Sequence, residues 1–350
     1  MKLLQLSPLT LKTLRRFRAI RRGYWSAVLI VVFILLSVLA ELFINSRALL
    51  VIHDGQWYFP TYGAVIPGEV FGLGYQYETN YRELKQKYMD EGGSNHIYMP
   101  LIPYDAYEND LVAGSYPPHA PSFSSRHYLG TDTAGRDVVA RLAYGFRIAI
   151  FFSLFLLICN YLVGVSIGCL MGYWGGLFDL FFQRLIEIWS NIPFLYVIMI
   201  IASIIVPSFW SLLLVMLMFS WMGITWYMRT ATYREREREY VMAARALGAG
   251  TGRIIFRHIL PNTVSIIITF VPFSVAGGIT ALTSLDFLGF GLPPPTPSWG
   301  ELLRQGIENL QTPWIVSSVV AAMVLILTMV TFIGEAIREA YDPKKHTIYE

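Results

Sequence analysis

Long apolar runs alternate with short polar stretches along most of this 350-residue chain. A helix that crosses a bilayer needs about 20 predominantly apolar residues. The runs that meet or approach that length are 24–44, 148–171, 185–206, 210–228, 263–285 and 314–334. Stretches rich in Gly or Pro separate several of them, at 172–176, 207–208 and 286–313. This pattern predicts an all-α polytopic membrane protein with six transmembrane helices.

The basic residues predict which ends of these helices face the cytoplasm. Seven Lys or Arg and no acidic residue precede Gly23, and the loop 229–262 holds seven Arg against three Glu. Because Lys and Arg favour the cytoplasmic side, both segments are predicted to be cytoplasmic, as is the tail 335–350. The first apolar run is too long for a signal peptide and no small-residue cleavage site follows it, so an uncleaved helix is predicted.

Composition narrows the class of protein further. Hydrophobic residues make up 55% of the chain and charged residues 15%, which indicates that lipid surrounds much of it. The net charge of +3 is small and does not favour nucleic acid as a partner. The sequence contains no Cys/His cluster typical of a metal site and no phosphate-binding loop motif. The chain is therefore expected to bind no cofactor and to hydrolyse no ATP itself.

The segment 45–147, between the first two apolar runs, is predicted to be extracytoplasmic. Residues 45–128 are rich in Tyr, Pro and Gly and are predicted to form an insert that packs on the outer ends of the helices, with a short helix near 81–89. A contact with substrate or with a partner protein is the alternative role for this insert. Asp132 and Asp137 are predicted to cap or turn the backbone, because their spacing does not fit a calcium loop.

The loop 240–262 has the most distinctive local pattern. Its first part is predicted to be a short helix whose shared face presents Tyr240, Val241, Ala244 and Leu247. Gly248 suits the left-handed conformation that ends a helix, and Thr251 is predicted to cap a second helix that continues into the fifth apolar run. Chemistry alone leaves two roles open: a lever docked on a cytoplasmic motor, or a helix held at an anionic membrane surface.

The same loop resembles the cytoplasmic coupling motif of ATP-binding-cassette (ABC) importer permeases. That motif reads E-A-A, three residues, Gly, nine residues, then I-x-L-P. The matching positions are Ala243, Ala244, Gly248, Leu260 and Pro261. Met242 stands at the Glu position and His258 at the Ile position, and both departures are usual in the dipeptide/oligopeptide subfamily.

Other segments resemble the C-type permease of that subfamily in the same order along the chain. They are 129–138 with 144–147, 285–294 with 297–300, and the tail residues Gly334, Glu335, Arg338, Asp342 and Pro343. Residues 22–26 and 50–60 are similar to the Yej-type branch, which belongs to the importer of peptides and microcin C in Gram-negative inner membranes.

The resemblance implies the type I ABC importer permease fold and a division of the chain. The divisions are a basic N-terminus 1–23, a first helix 24–44, an insert and lead-in segment 45–147, a five-helix core 148–334 that contains the coupling loop 229–262, and a tail 335–350. It also implies a second permease subunit, a periplasmic peptide-binding protein, and separate ATPase subunits that use ATP and Mg²⁺.

The resemblance further implies a set of residues that couple the permease to an ATPase subunit. They are Tyr240, Val241, Met242, Ala243, Ala244, Leu247, Gly248, His258, Leu260 and Pro261. An Asp at Gly248 is predicted to uncouple hydrolysis from uptake. The alternative function is a self-sufficient secondary transporter or channel, which would need no separate ATPase. An intramembrane enzyme is disfavoured, because the apolar runs contain no catalytic motif.

Overall fold

The computed structural model is mainly helical and describes residues 8–110 and 115–341. Its α-helices are α1 (Pro8–Ala19), α2 (Arg21–Val38), α3 (Ala40–Phe43), α4 (Tyr81–Glu91), α5 (Val138–Trp174), α6 (Gly176–Ser190), α7 (Phe194–Ile204), α8 (Phe209–Glu235), α9 (Glu239–Ala246), α10 (Thr251–Ile254), α11 (Leu260–Phe287), α12 (Trp299–Glu308) and α13 (Pro313–Tyr341). Three short strands are β1 (Leu50–His53), β2 (Gln56–Tyr58) and β3 (His96–Tyr98), and Gly68–Phe71 forms a 3-10 turn. Residues 1–7 and the tail residues Asp342 and Pro343 lie outside the described residues.

Five helical segments within the described residues are long and apolar enough to span a membrane. They are α2, α5, α8, α13 and the continuous helix Thr251–Phe287. A sixth span exists only if α6 and α7, which meet at a bend of 70°, are counted together. The run 185–206, predicted to be one spanning helix, is divided in the structure between the end of α6 and α7. Pro193 lacks a backbone N–H and disfavours helical geometry at Ile192, which explains the break between α6 and α7.

A stripe of glycines brings α5 and α8 into close contact. A Cβ built on Gly164 would lie 2.6 Å from the carbonyl oxygen of Trp221, and one on Gly168 would lie 2.5 Å from that of Thr225. Gly172 approaches Arg229 in the same way. Small residues at this spacing let two spanning helices pack backbone to backbone. The glycines therefore bind α5 to α8 within this chain and leave no close-packing surface there for a partner subunit.

The remaining spans complete a bundle with two distinct ends. α2 packs along α13, where Gly23 meets Ala336, and α11 packs between α5 and α13. The start of α5 and the end of α11 lie at one end with α12 and the insert. The start of α2, the end of α13 and helix α9 lie at the other. We refer to these as the insert end and the α9 end.

The insert is a small folded layer that packs against the membrane helices. β1 pairs antiparallel with β2, with Val51 opposite Tyr58, and with β3, with Val51 opposite Ile97. The predicted helix near 81–89 is confirmed by α4, which Asn80 caps by accepting from the N–H groups of Arg82 and Glu83. The sheet was not predicted, since strands of three or four residues are too short to show alternation.

Two small cores hold the insert in place. Val51, Phe71 and Leu84 are buried together beneath the sheet. Ile102 and Tyr104 pack with Ala40 and Tyr144 at the ends of the first and second spans. The insert thus packs on the ends of the helices, as its composition indicated.

A candidate coupling site at the α9 end

Helix α9 begins and ends at residues suited to its termini. Glu239 lies in its first turn and Arg245 in its last, where each charge interacts favourably with the nearby end of the helix dipole. Gly248 follows with φ +80°, and its N–H donates to the carbonyl of Arg245 over 3.0 Å. The N–H of Ala249 donates to the carbonyl of Ala244 over 3.0 Å. The predicted left-handed glycine at the end of this helix is confirmed.

The inner face of α9 is fixed to the helix that follows it. Val241 and Ala244 are buried against Ile254 and Ile259, which lie in the next helical segment. Burying apolar side chains of this size stabilises the contact by about 1.5–3 kcal/mol for a residue such as Val. α9 is therefore held rigidly on the base of the fifth span.

The outer face of α9 is apolar yet exposed. Leu247 is 88% exposed, Met242 is 49% exposed and Tyr240 is 37% exposed. Ala243 and Gly248 are also exposed, and nothing lies within 4 Å of a Cβ placed on Gly248. The prediction that Leu247 shares the face of Val241 and Ala244 is wrong: those two side chains are buried, whereas Leu247, the residue after α9, is exposed.

A continuous helix connects α9 to the fifth span. α10 runs into a π-helical turn at Ile255–Ile259 and then into α11, so that Thr251–Phe287 is one helix. Within this turn the N–H of Leu260 donates to the carbonyl of Ile255, five residues back. The wider turn accommodates Pro261, which has no N–H and would collide with a carbonyl in a regular helix. A turn of four residues, 247–250, joins α9 to the start of this helix.

The structure places the remaining predicted residues around this junction. His258 lies in the π-turn with its ring centroid 6.5 Å from that of Tyr240, and Asn262 donates to the His258 carbonyl over 2.7 Å. Thr251 does not cap the second helix as predicted. The helix begins at Thr251 itself, and Gly250 occupies the capping position without a side-chain hydrogen bond.

Arginines fasten the α9 end to the neighbouring spans. The Arg245 guanidinium lies 5.3 Å from the ring centroid of Tyr173, near the end of α5. Arg236 donates to the carbonyl of Gly172 over 3.2 Å, and Arg229 donates to Asp179 of α6 over 2.5 and 2.6 Å. Arg245 thus places α9 against the end of α5, while Arg229 and Arg236 join α8 to α6 and α5.

At the insert end, two segments that resemble permease motifs meet in a buried charge cluster. Arg136 contacts Asp132 at 2.7 Å and Glu301 of α12 at 2.8 Å. Arg141 donates to Glu301 and lies 3.4 Å from Asp132. We call these four side chains the insert-end cluster. All four are buried, and Arg141 also donates to the carbonyls of Ala106 and Pro295 over 3.1 Å.

The roles predicted for Asp132 and Asp137 are confirmed. Asp132 accepts from the N–H groups of Ala134 and Arg136, and Asp137 caps α5 by accepting from Ala140. The sequence did not single out Arg141 or Glu301 as partners, because 160 residues separate them.

His127 sits between two carboxylates beside this cluster. Its Nδ1 lies 2.8 Å from Asp137 and its Nε2 lies 3.2 Å from Asp110, while the ring stacks on Tyr104. Burial opposes the charged imidazolium, but the two carboxylates outweigh it and raise the pKa of His127 to about 9.

This raised pKa predicts a loss of stability at alkaline pH. The stabilisation that protonated His127 gains from the two carboxylates is fully present below the ordinary His pKa of 6.5. It is lost as the pH rises through about 9. The thermal midpoint of the purified protein should therefore fall more between pH 7 and pH 10 than that of a His127→Gln variant. Equal slopes for the two proteins would contradict the assignment.

A helical bundle of this kind, with a short docked helix at one end, is the architecture of a polytopic membrane permease. Residues 164–347 match the family model described as "Binding-protein-dependent transport system inner membrane component". The chain belongs to this family and has the type I ABC permease fold.

Individual relatives extend the similarity over nearly the whole chain. The inner membrane ABC transporter permease protein YejE of Escherichia coli (strain K12) is 42% identical over 97% of this chain and 99% of its own length. The peptidoglycan transport system permease protein YejE of Agrobacterium fabrum is 41% identical over 97% and 94%. The dipeptide transport system permease protein DppC of Bacillus subtilis is 32% identical over 70% and 75%.

These relatives confirm the resemblance to the dipeptide/oligopeptide permeases and to the Yej-type branch. The chain is a permease subunit of an ABC importer in the inner membrane. A self-sufficient secondary transporter or channel is not favoured.

Proposed function

We propose that this chain is one of two permease subunits of an importer that carries peptides from the periplasm to the cytoplasm. Separate ATPase subunits dock on the outer face of α9, bind ATP and Mg²⁺, and hydrolyse the nucleotide. A periplasmic binding protein delivers the peptide. The names of the relatives support this class of cargo, since they refer to peptides, dipeptides and peptidoglycan, and a microcin C-type peptide antibiotic belongs to the same class.

The observation that carries the proposal is the combination of an exposed apolar outer face and a fixed inner face on α9. Leu247, Met242 and Ala243 present apolar surface to solvent on a helix whose other side is buried. An apolar surface that stays exposed on a soluble part of a protein marks a site of contact with another protein. Of the ten residues predicted from the coupling motif, Val241 and Ala244 form the buried inner face of α9. The others belong to the docking face or to the continuous helix that would transmit its movement.

The orientation of the chain follows from the same proposal. Arg22 at the start of α2 contacts Glu335 near the end of α13 at 3.2 Å, so both lie at the α9 end. An ATPase docked on α9 requires that end to be cytoplasmic, which places both termini in the cytoplasm and the insert in the periplasm. The basic residues before Gly23 support this orientation.

Co-purification tests the proposal. The tagged chain, extracted from inner membrane, should retain a second permease and an ATPase, and ATP hydrolysis by the complex should rise when peptide-loaded binding protein is added. Recovery of the chain alone, with transport by the reconstituted chain independent of ATP, would contradict the proposal.

The cargo is tested on the same reconstituted complex. Import of labelled di- to hexapeptides and of a microcin C-type peptide should depend on ATP. Import of none of these, with import of muropeptide fragments instead, would exclude simple peptides as the cargo while leaving the coupling mechanism intact.

A further inference from the structure

The basic segment before Gly23 contains a helix, α1, from Pro8 to Ala19. α1 ends at Ala19 and α2 begins at Arg21, so Ile20 alone separates them. The two helices enclose a groove of about 520 Å³. Its walls are Leu14 and Phe17 of α1 and Tyr24, Ala27, Val28, Val31 and Val32 of α2, and Arg18 completes the lining.

The groove combines an apolar wall with a basic rim. From Tyr24 to Val32 the apolar wall on α2 extends about 12 Å along the first span. Arg15 and Arg18 on α1 are both exposed, and the Arg18 guanidinium lies 5.6 Å from the ring centroid of Tyr24. No acidic residue lies among the residues that line the groove or in the sequence before Gly23.

We propose that this groove binds one anionic phospholipid from the cytoplasmic leaflet. The acyl chain lies against Val28, Val31 and Val32, and the phosphate lies beside Arg18 and Arg15. The inference rests on the orientation given above, in which the α9 end is cytoplasmic. It goes beyond the import function, which requires no lipid at a defined position.

The position and charge of the groove favour a lipid over a protein as its occupant. α2 is a membrane span, so the groove starts at the membrane surface and runs into the hydrocarbon layer. Basic residues at that surface attract anionic headgroups with about 1 kcal/mol per Lys or Arg. A single phospholipid matches both parts of the groove, because its phosphate lies at the surface beside Arg18 and its acyl chain continues along the apolar wall of α2.

The site should also stabilise the protein. α1 packs on α13 as well as on α2, so a lipid between α1 and α2 joins the N-terminal helix to the core. Any ligand that binds only the folded protein raises its thermal midpoint. Phosphatidylglycerol should therefore raise that midpoint more than phosphatidylcholine with identical acyl chains.

The test uses the detergent-purified, delipidated complex and native mass spectrometry with these two lipids. The wild-type protein should retain one phosphatidylglycerol with about fivefold preference over phosphatidylcholine. Arg18→Gln should reduce that preference toward equality, and Val28→Trp should fill the groove and abolish retention of both lipids. Matched controls are Arg234→Gln, an exposed basic residue at the end of α8, and Val324→Trp, an exposed position on α13; both should behave as wild type.

Two results would overturn the inference. The first concerns lipid retention: either the wild-type protein retains both lipids equally, or Val28→Trp retains as much lipid as the wild-type protein. The other is efficient photo-crosslinking from position 28 to the second permease, which would show that a protein fills the groove. Lipid retention is measured without ATP. A negative result would therefore count against the lipid site alone, because the co-purification and transport assays test the import function separately. Accessibility of a single cysteine introduced at position 15 tests the orientation separately.

Discussion

A chain that carries Leu247→Asp should insert and assemble with the second permease, yet fail to import peptide. Leu247 is 88% exposed, so the substitution removes no contact within the chain. At the proposed interface it places an unpaired carboxylate where an apolar side chain enters the ATPase. Truncation of a central anchor residue at a protein interface costs about 2 kcal/mol or more, which corresponds to a loss of roughly 30-fold in affinity.

Uptake of labelled peptide by cells and retention of the ATPase during purification measure this effect together. The matched control is Met89→Asp, which introduces the same charge at an exposed apolar position on α4 of the insert. That variant should import peptide normally. Normal uptake by a well-inserted Leu247→Asp variant would exclude the outer face of α9 as the docking surface.

Gly248 provides an independent test of the same surface. Its φ of +80° is strained for most side chains, so a substitution must be chosen to separate strain from docking. Asn and Asp both tolerate the left-handed region better than other residues and have nearly the same shape. Gly248→Asp should uncouple ATP hydrolysis from uptake, and Gly248→Asn, which lacks the charge, should retain more coupling. Equal and normal coupling in both variants would contradict a close approach at this position.

The sequence predicted the parts of the coupling site that depend on local chemistry. Gly248 ends α9 in the left-handed conformation because only the immediate backbone decides that position. Leu247 lies about 120° from Val241 around a helix of 3.6 residues per turn, at the margin of the predicted face, and the periodicity assigned it to the wrong side. The π-turn before Pro261 was also missed, because the pattern of apolar residues does not distinguish it from a regular helix.

Among the membrane spans, too, the features that depend on local sequence were predicted and the others were not. The length of the apolar runs identified five of the spanning helices directly, because such a helix must match the thickness of the bilayer. The bend of 70° was missed because the mean hydropathy of the whole run hides the polar Ser190 and Asn191 that stand at the break before Pro193. The small residues Gly164 and Gly168 allow another helix to pack closely on α5. The sequence alone does not show that this helix is α8.

The insert-end cluster could not be predicted from the sequence at all. Arg136 and Arg141 meet Asp132 and Glu301 only after the lead-in segment folds against α12. With two positive and two negative charges, the four side chains are balanced as a set. A buried charge that loses its partner costs far more than an exposed one, since water cannot replace the partner.

Arg141→Met should therefore destabilise the protein strongly. It leaves Asp132 and Glu301 sharing only Arg136, and loss of one partner from a buried ion pair costs about 3–5 kcal/mol. Thermal unfolding of the purified protein measures the loss. The control is Arg184→Met, whose partner Glu187 is exposed, and such surface pairs contribute about 0–1 kcal/mol.

A second substitution distinguishes charge balance from the loss of packing. Arg141→Met/Glu301→Gln leaves Asp132 paired with Arg136 alone, so the cluster is neutral again. If unpaired charge dominates the cost, the double variant should be more stable than Arg141→Met, and the two single effects should be strongly non-additive. Additive losses would show instead that Arg141 acts mainly through its hydrogen bonds to the Ala106 and Pro295 carbonyls.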